Sequence, residues 1–198
     1  MRLDNPGARA VLICAAPAFL LAVACLAPYL GKAYTIDDPL FALSAERVLR
    51  APLDPLGFAL CWNAPRETCG VAARITANTP LMAYALAPSA LLGSREWTAH
   101  LTELLLLCAG IAATVSLALQ LGASRPQAAG AGLLLAAMPP VLPTASSAMP
   151  DIPSMALAAI GIDMFVRWRR GGKLWRAAAA GIALGLAPCG RMHALAAL

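Results

Sequence analysis

Five long apolar runs, separated by short charged segments, constrain this chain more than any other feature. Crossing the hydrocarbon core of a bilayer takes about 20 apolar residues in a helix. A segment inside lipid must also satisfy its own backbone polar groups, which a helix does. The sequence therefore predicts an all-α polytopic membrane protein with about five transmembrane helices, forming one transmembrane domain over residues 1–198. The predicted spans cover residues 10–30, 97–121, 128–148, 152–168 and 174–198.

The composition excludes several other classes of protein. The chain has 198 residues, of which 60% are apolar and 13% charged, against about 45–50% and about 25% in typical soluble domains. A chain with this apolar fraction is neither a soluble domain nor intrinsically disordered. The net charge of +5 does not indicate a nucleic-acid partner, because the basic residues lie between apolar runs, as loop charges of membrane proteins do. The first run also resembles a signal peptide, but its length favours an uncleaved span.

Basic residues predict the orientation. Arg167, Arg169, Arg170 and Lys173 form a cluster between the last two runs, and such clusters stay on the cytoplasmic side. With a cytoplasmic N-terminus, the cluster is cytoplasmic only if the short apolar stretch 80–92 does not cross. We therefore expect an exterior loop over residues 31–96, with short helices near 39–50 and 80–92. The localisation expected is a bacterial inner (plasma) membrane, with the active face exterior.

Polar residues from distant parts of the chain converge on that exterior face. Asp37 and Asp38 follow the first run, Asn78 lies later in the same loop, and Asp151 lies in the turn between two spans. Arg191 lies towards the exterior end of the last run. A charge near the bilayer centre costs about 2.5–3.5 kcal/mol on insertion scales. The chain largely avoids this cost and places these groups at one water interface, which predicts a site there.

Four segments occur in a recognisable order along the chain: Tyr34–Phe41, Ala77–Tyr84, Ala148–Pro153 and Gly185–Met192. Together they resemble the N-terminal portion of a GT-C membrane glycosyltransferase. The similarity is to glycosyltransferase family 39, the group of protein O-mannosyltransferases and of the aminoarabinose transferases that modify lipid A, and it implies a GT-C-like fold for this part. Family members are much longer and this chain ends inside an apolar run, so we expect a fragment of a longer protein.

The resemblance implies the chemistry. Such enzymes transfer a sugar from a polyprenyl-phosphate donor to a lipid, glycan or protein acceptor on the exterior (periplasmic) face, and direct displacement inverts the anomeric carbon. Asp37 and Asp38 are then the catalytic carboxylates, which take the proton of the acceptor. Asn78, Asp151 and Arg191 are then substrate-binding residues, with Arg191 on the donor phosphate. A divalent metal ion held by Asp37 and Asp151 is a further possibility.

Each of these residues also has a structural interpretation. Asp37 or Asp38 caps the helix that follows them, and Asp151 or Asn78 does the same for its own helix. Arg191 is alternatively a side chain that reaches from a helix end towards water. At the level of the whole chain, the alternatives to a transferase are a non-catalytic membrane fragment or accessory module and a segment of a transporter.

Three further pairs of residues carry weaker predictions. His100 and Glu103 lie three residues apart, which is the spacing of a metal-like pair, but two ligands alone do not make a site. They are interpreted as a polar patch at the outer end of their span. Asp163 and Arg167 are spaced as an ordinary helix ion pair. Cys61 and Cys69 share one polar loop and form a disulfide if that loop faces an oxidising compartment.

Overall fold

A computed structural model describes residues 6–62, 68–76 and 78–191 of the chain. These residues are mostly helical, and two short 3-10 turns, Ala27–Tyr29 and Ala187–Cys189, follow the first and the last helix. The helices are α1 (Ala8–Leu26), α2 (Asp38–Arg50), α3 (Ala72–Ile75), α4 (Leu81–Ala85), α5 (Ala87–Leu91), α6 (Glu96–Gln120), α7 (Arg125–Ala137), α8 (Val141–Ala145), α9 (Asp151–Arg169) and α10 (Leu174–Leu186).

Two helices are long and apolar enough to cross a membrane. The first is α1 with its 3-10 turn, Ala8–Tyr29, at a mean hydropathy of 2.6, and the second is α6, at 2.0. Helix α9 has 19 residues but carries Asp151, Asp163, Arg167 and Arg169. Helices α7 and α10 have 13 residues each, which is about 20 Å. The structure therefore supports a helical chain with two candidate spans, and the five predicted spans are not shown.

The apolar run 128–148 does not form one continuous helix. Helix α7 ends at Ala137, and α8 begins only at Val141. Between them, Met138 adopts an extended ψ of 131°, because a proline disfavours the helical conformation of the residue before it. Pro139 and Pro140 also lack the N–H that would continue the hydrogen-bond ladder. The third predicted span is therefore two helices with a break between them.

Helix α6 is at the centre of the bundle and packs against α1, α7 and α9, while α10 packs on the far side of α9. Small residues permit these close approaches, as is common between membrane helices. A Cβ at Gly110 would lie 3.3 Å from the backbone of Ala156, and one at Gly161 would lie 2.6 Å from Leu184 Cγ. The α6–α9 and α9–α10 contacts therefore depend on glycine at the crossing points.

Long-range contacts define two opposite ends of the bundle. At one end, which we call the loop end, the segment after α1, the start of α6, the α8–α9 turn and the end of α10 meet. At the other, the basic end, Arg167 donates to the Pro6 carbonyl at 3.5 Å, and the end of α6 contacts α9 through Gln120 and Asp163. Helices α1 and α10 therefore run from the basic end to the loop end, and α6 and α9 run in the opposite direction.

The segment between α1 and α6 is folded onto the loop end of the bundle. Helix α2 packs on α4 and α5, and a small core forms there around Phe41, Met82, Leu86, Ala99 and Ala148. The last two residues belong to α6 and to the α8–α9 turn, so this core attaches the loop to the bundle.

The same segment contains a two-stranded antiparallel sheet, β1 (Ala59–Trp62) and β2 (Thr68–Val71), in which Cys61 pairs with Cys69. These cysteines form a disulfide. The purely helical prediction omitted this hairpin, because two four-residue strands leave almost no periodic pattern in the sequence.

Candidate functional site

Asp38 is fully buried at the start of α2 and ties three segments together. Its Oδ2 accepts the backbone N–H of Thr35 at 2.9 Å and the Thr35 hydroxyl at 3.4 Å. Its Oδ1 accepts the backbone N–H of Ala148 at 2.9 Å. Beside it, Lys32 Nζ donates to Ser147 Oγ at 2.8 Å. Asp38 therefore holds the loop against the α8–α9 turn.

Asp37 occupies the N-cap position of α2, but its side chain makes no capping hydrogen bond. Its carboxylate is half-buried and makes no hydrogen bond to a described residue, so it is available to a ligand. The preceding residue, Ile36, has a φ of 52°, which is strained for a β-branched residue. Strain of this kind persists where the surrounding structure enforces it. The capping interpretation of Asp37 is therefore not supported by the contacts of its side chain.

Asp151 and Arg191 form a two-pronged ion pair. Arg191 Nε lies 3.1 Å from Asp151 Oδ1, and Nη2 lies 3.0 Å from Oδ2. Both side chains are about one-third exposed, at 36% each. Asp151 is the first residue of α9, where a negative charge interacts favourably with the helix dipole. This geometry fixes the guanidinium plane at the loop end.

Asn78 lies next to a contact between the loop and the end of α10. Its neighbour Thr79 donates through Oγ1 to the carbonyl of Gly190 at 2.8 Å. The predicted cap by Asn78 is not seen, because Pro80 occupies the N-cap position of α4 and no side chain caps that helix. Asn78 is partly buried and free of hydrogen bonds to the described residues.

A chain of contacts brings the five predicted site residues to one end of the molecule. Asp38 bonds to the turn that leads into Asp151, Asp151 bonds to Arg191, and Gly190 bonds to Thr79 beside Asn78. They come from the α2 start, the α9 start, the loop before α4 and the segment after α10. The two most distant of them in sequence, Asp37 and Arg191, are 154 positions apart.

Two residues under the loop have a more specific environment than the sequence suggested. His100 and Glu103 on α6 are buried, at 2% and 0% exposure. His100 Nδ1 lies 3.0 Å from the Leu30 carbonyl, whereas His100 Nε2 and both carboxyl oxygens of Glu103 have no partner among the described residues. The carboxylates of Asp38 and Asp151 interact electrostatically with the carboxyl group of Glu103. The polar patch predicted for this end of the span is therefore a buried pair of polar residues, and three-residue spacing alone does not reveal that burial.

Tyr34 covers this pair from the loop. Its ring meets that of His100 edge to face at 6.1 Å, and its hydroxyl donates to the Ser94 carbonyl at 3.0 Å. Burial raises the pKa of Tyr34 to about 12, and the carboxylates of Glu96, Asp38 and Glu46 add to the effect. The hydroxyl therefore stays protonated, and a donor, throughout the physiological range.

The described residues do not offer a prepared metal site. Within residues 6–62, 68–76 and 78–191, no group of three or more His, Cys, Asp or Glu side chains is placed to hold a metal ion. Asp151 instead engages Arg191. A metal bound by Asp37 and Asp151 therefore stays a prediction, and no step below depends on it.

Comparison with known proteins finds no protein-family model, no curated protein and no solved structure that matches this chain. The resemblance to glycosyltransferases therefore rests on the residues and their arrangement alone.

Proposed function

We propose that this chain belongs to a membrane glycosyltransferase, which transfers a sugar from a polyprenyl-phosphate donor to an acceptor at the loop end of the bundle. The proposal includes five membrane spans, in which the two candidate spans are joined by the broken α7–α8 segment, α9 and α10. The observation that carries it is the convergence of Asp38, Asp151 and Arg191 through direct contacts from three distant segments.

The contacts suggest different roles for the two adjacent acids. Asp38 accepts three hydrogen bonds and is inaccessible, so we assign it to positioning the loop. Asp37 has a free, half-exposed carboxylate beside it. Asp37 is therefore the general base, which takes the proton of the acceptor hydroxyl or amine as the acceptor attacks the anomeric carbon.

The leaving group of the reaction is a phosphate, which is stabilised by a nearby positive charge and does not need to be protonated. As the bond between the anomeric carbon and the phosphate oxygen breaks, the electron pair leaves with the phosphate. Arg191 is a cation at this end of the molecule, and its ion pair with Asp151 orients the guanidinium. A fixed guanidinium stabilises negative charge that develops in the transition state without reorganising. Asn78, adjacent to the Thr79–Gly190 contact, is placed to donate to the same phosphate.

The disulfide supports an exterior location for the loop end. Cys61 and Cys69 are bonded within the folded loop, and disulfides persist in oxidising compartments such as the bacterial periplasm. At the opposite end, where the cytoplasm is expected, the last residue of α9, Arg169, is exposed, as are Arg170 and Lys173 after it. Both features favour the same orientation.

The decisive experiment replaces Asp37 by Asn. Membranes that contain the chain are supplied with radiolabelled polyprenyl-phosphate mannose or polyprenyl-phosphate glucose, and label is counted in lipid, glycan and protein fractions. Asp37→Asn is expected to abolish transfer while membrane insertion is unchanged, because the amide cannot accept the proton. The matched control is Asp54→Asn, an exposed acid paired with Arg47 at 3.2 Å, which should retain transfer. Full activity of Asp37→Asn would refute the assignment.

A transporter segment is the second candidate, favoured by one observation. Ionisable residues buried in membrane helices often mark ion or substrate pathways, and Glu103 is such a residue on α6. Vesicles that contain the chain would then show proton-coupled uptake that Glu103→Gln abolishes. Transfer that depends on Asp37, without uptake, favours the enzyme.

A further inference from the structure

An open groove lies along the side of the bundle, away from the loop end. It has a volume of about 450 Å³ and runs between α1, α6 and α9. Its walls are mainly apolar, as in Val11 and Leu12 of α1, Ala112 of α6 and Ile160 of α9. Leu12 is 57% exposed. In a bilayer, such a groove is filled by hydrocarbon.

A compensated ion pair closes the groove at the basic end. Asp163 and Arg167 are its two charged lining residues, and Arg167 Nε lies 2.9 Å from Asp163 Oδ2. Asp163 also accepts hydrogen bonds from Ser116 and Gln120. The negative charge of Asp163 is therefore neutralised within the bundle and does not repel an anion at this end of the groove.

Exposed cations lie at the same end of the bundle. Arg169, Arg170 and Lys173 are exposed where α9 turns into α10, and Arg9 is exposed on α1 next in sequence to Ala8, which lines the groove. Between residues 104 and 191 the sequence has two acids, Asp151 at the loop end and Asp163 inside the ion pair. Among the described residues, the basic end therefore carries an excess of positive charge.

We propose that this groove binds an anionic glycerophospholipid, with an acyl chain along the apolar walls and the headgroup phosphate on the cations at the basic end. Basic residues beside membrane helices attract anionic headgroups, and Arg binds phosphate oxygens in two-pronged fashion. The apolar groove selects a lipid rather than free phosphate, and the cations select an anionic headgroup over a zwitterionic one. This site is independent of the transferase chemistry at the loop end.

The test is native mass spectrometry of the whole chain in an uncharged detergent. Dioleoyl phosphatidylglycerol and dioleoyl phosphatidylcholine are added in equal amounts, so that the two lipids differ only in the headgroup. We expect phosphatidylglycerol to be preferred by about fivefold for each cation that contacts it, the equivalent of ~1 kcal/mol per Lys or Arg near a membrane surface. Glycerol phosphate, which has the anionic group without chains, is expected neither to bind nor to compete.

Two sets of variants separate the two parts of the site. Arg169→Gln with Arg170→Gln should reduce the preference for phosphatidylglycerol by at least about fivefold on the same basis. The matched control, Arg47→Gln with Arg50→Gln on α2, removes the same charge from the loop end and should leave the preference unchanged.

Filling the groove should have a different effect. Ala112→Phe, and Ala8→Phe at the exposed rim, should weaken binding of both lipids while their ratio stays the same. Equal binding of the two lipids, a preference that survives loss of Arg169 and Arg170, or competition by glycerol phosphate would overturn the proposal.

Discussion

Replacing Glu103 by Met is expected to stabilise the fold, because it removes a buried acid from beneath the loop. Both carboxyl oxygens of Glu103 are buried and have no partner among the described residues. A buried polar group without a hydrogen bond costs about 1–3 kcal/mol in proteins. Met has a similar length, is flexible and packs well in irregular space. The free energy of unfolding should therefore rise by roughly 1–3 kcal/mol.

The assay is unfolding in uncharged detergent micelles by titration with sodium dodecyl sulfate, followed by circular dichroism. Glu103→Gln serves as the isosteric comparison, since it keeps two polar atoms in the same place and should gain less than Glu103→Met. Glu46→Met is the matched control at an exposed position of α2, where we expect a change within about 0.5 kcal/mol.

The stability of Glu103→Met also tests the interpretation of the site. Natural proteins retain such groups where they serve function at the expense of stability. We therefore expect Glu103→Met to lose the activity of the candidate site, whether sugar transfer or uptake, while the free energy of unfolding rises. A loss of more than about 1 kcal/mol, on the scale of a broken buried hydrogen bond, would show that Glu103 is already satisfied in the fold and would refute the reasoning.

Three other measurements follow from the loop end. Gly190→Ala places a Cβ 2.9 Å from Leu81 Cδ2 and in overlap with Ser154 Oγ. Transfer activity should therefore fall at least tenfold, because Arg191 is displaced. The control Gly181→Ala, whose Cβ meets nothing within 4 Å, should leave transfer unchanged. Tyrosinate absorbance should show one residue titrating near pH 12, lost in Tyr34→Phe. Because the folded pKa is raised, the contribution of Tyr34 to stability is complete below pH 10 and declines as the pH rises through 12. Ile36→Gly should stabilise the fold by about 1 kcal/mol in the unfolding titration, since glycine relieves the positive φ; an unchanged value would mean the strain is not stored there.

Local patterns predicted much of the helical structure. The apolar runs located α1 and α6, and Pro39 with the acids before it located the start of α2. The i, i+4 spacing predicted the Asp163–Arg167 ion pair, which is confirmed. The tandem prolines after Met138 likewise act locally, since they divide the third apolar run into α7 and α8. These features depend on residues close in sequence, where periodicity and backbone chemistry are decisive.

Other features depend on which segments meet in space. The sequence placed Asp37 and Asp38 on one face and left open which of them is catalytic and which caps the helix. Only the tertiary structure distinguishes their environments: Asp38 is buried and accepts the Ala148 N–H, whereas Asp37 is half-exposed. The disulfide between Cys61 and Cys69 was left open by the sequence and is formed in the folded hairpin. The burial of Glu103 without a hydrogen-bond partner among the described residues is likewise visible only in the tertiary structure.

The sequence by itself determined a helical, apolar chain with a basic cluster between its last two apolar runs and an acid-containing loop after the first, because hydropathy and charge act on each segment separately. Only the tertiary structure decided which carboxylates are satisfied, which are free and which are buried without a partner. That outcome depends on contacts across 110 residues, as between Asp38 and Ala148, and on glycines such as Gly110 and Gly161 that let the helices approach. Hydrogen bonds and packing at such separations leave no periodic trace in the sequence, because they are properties of the assembled bundle.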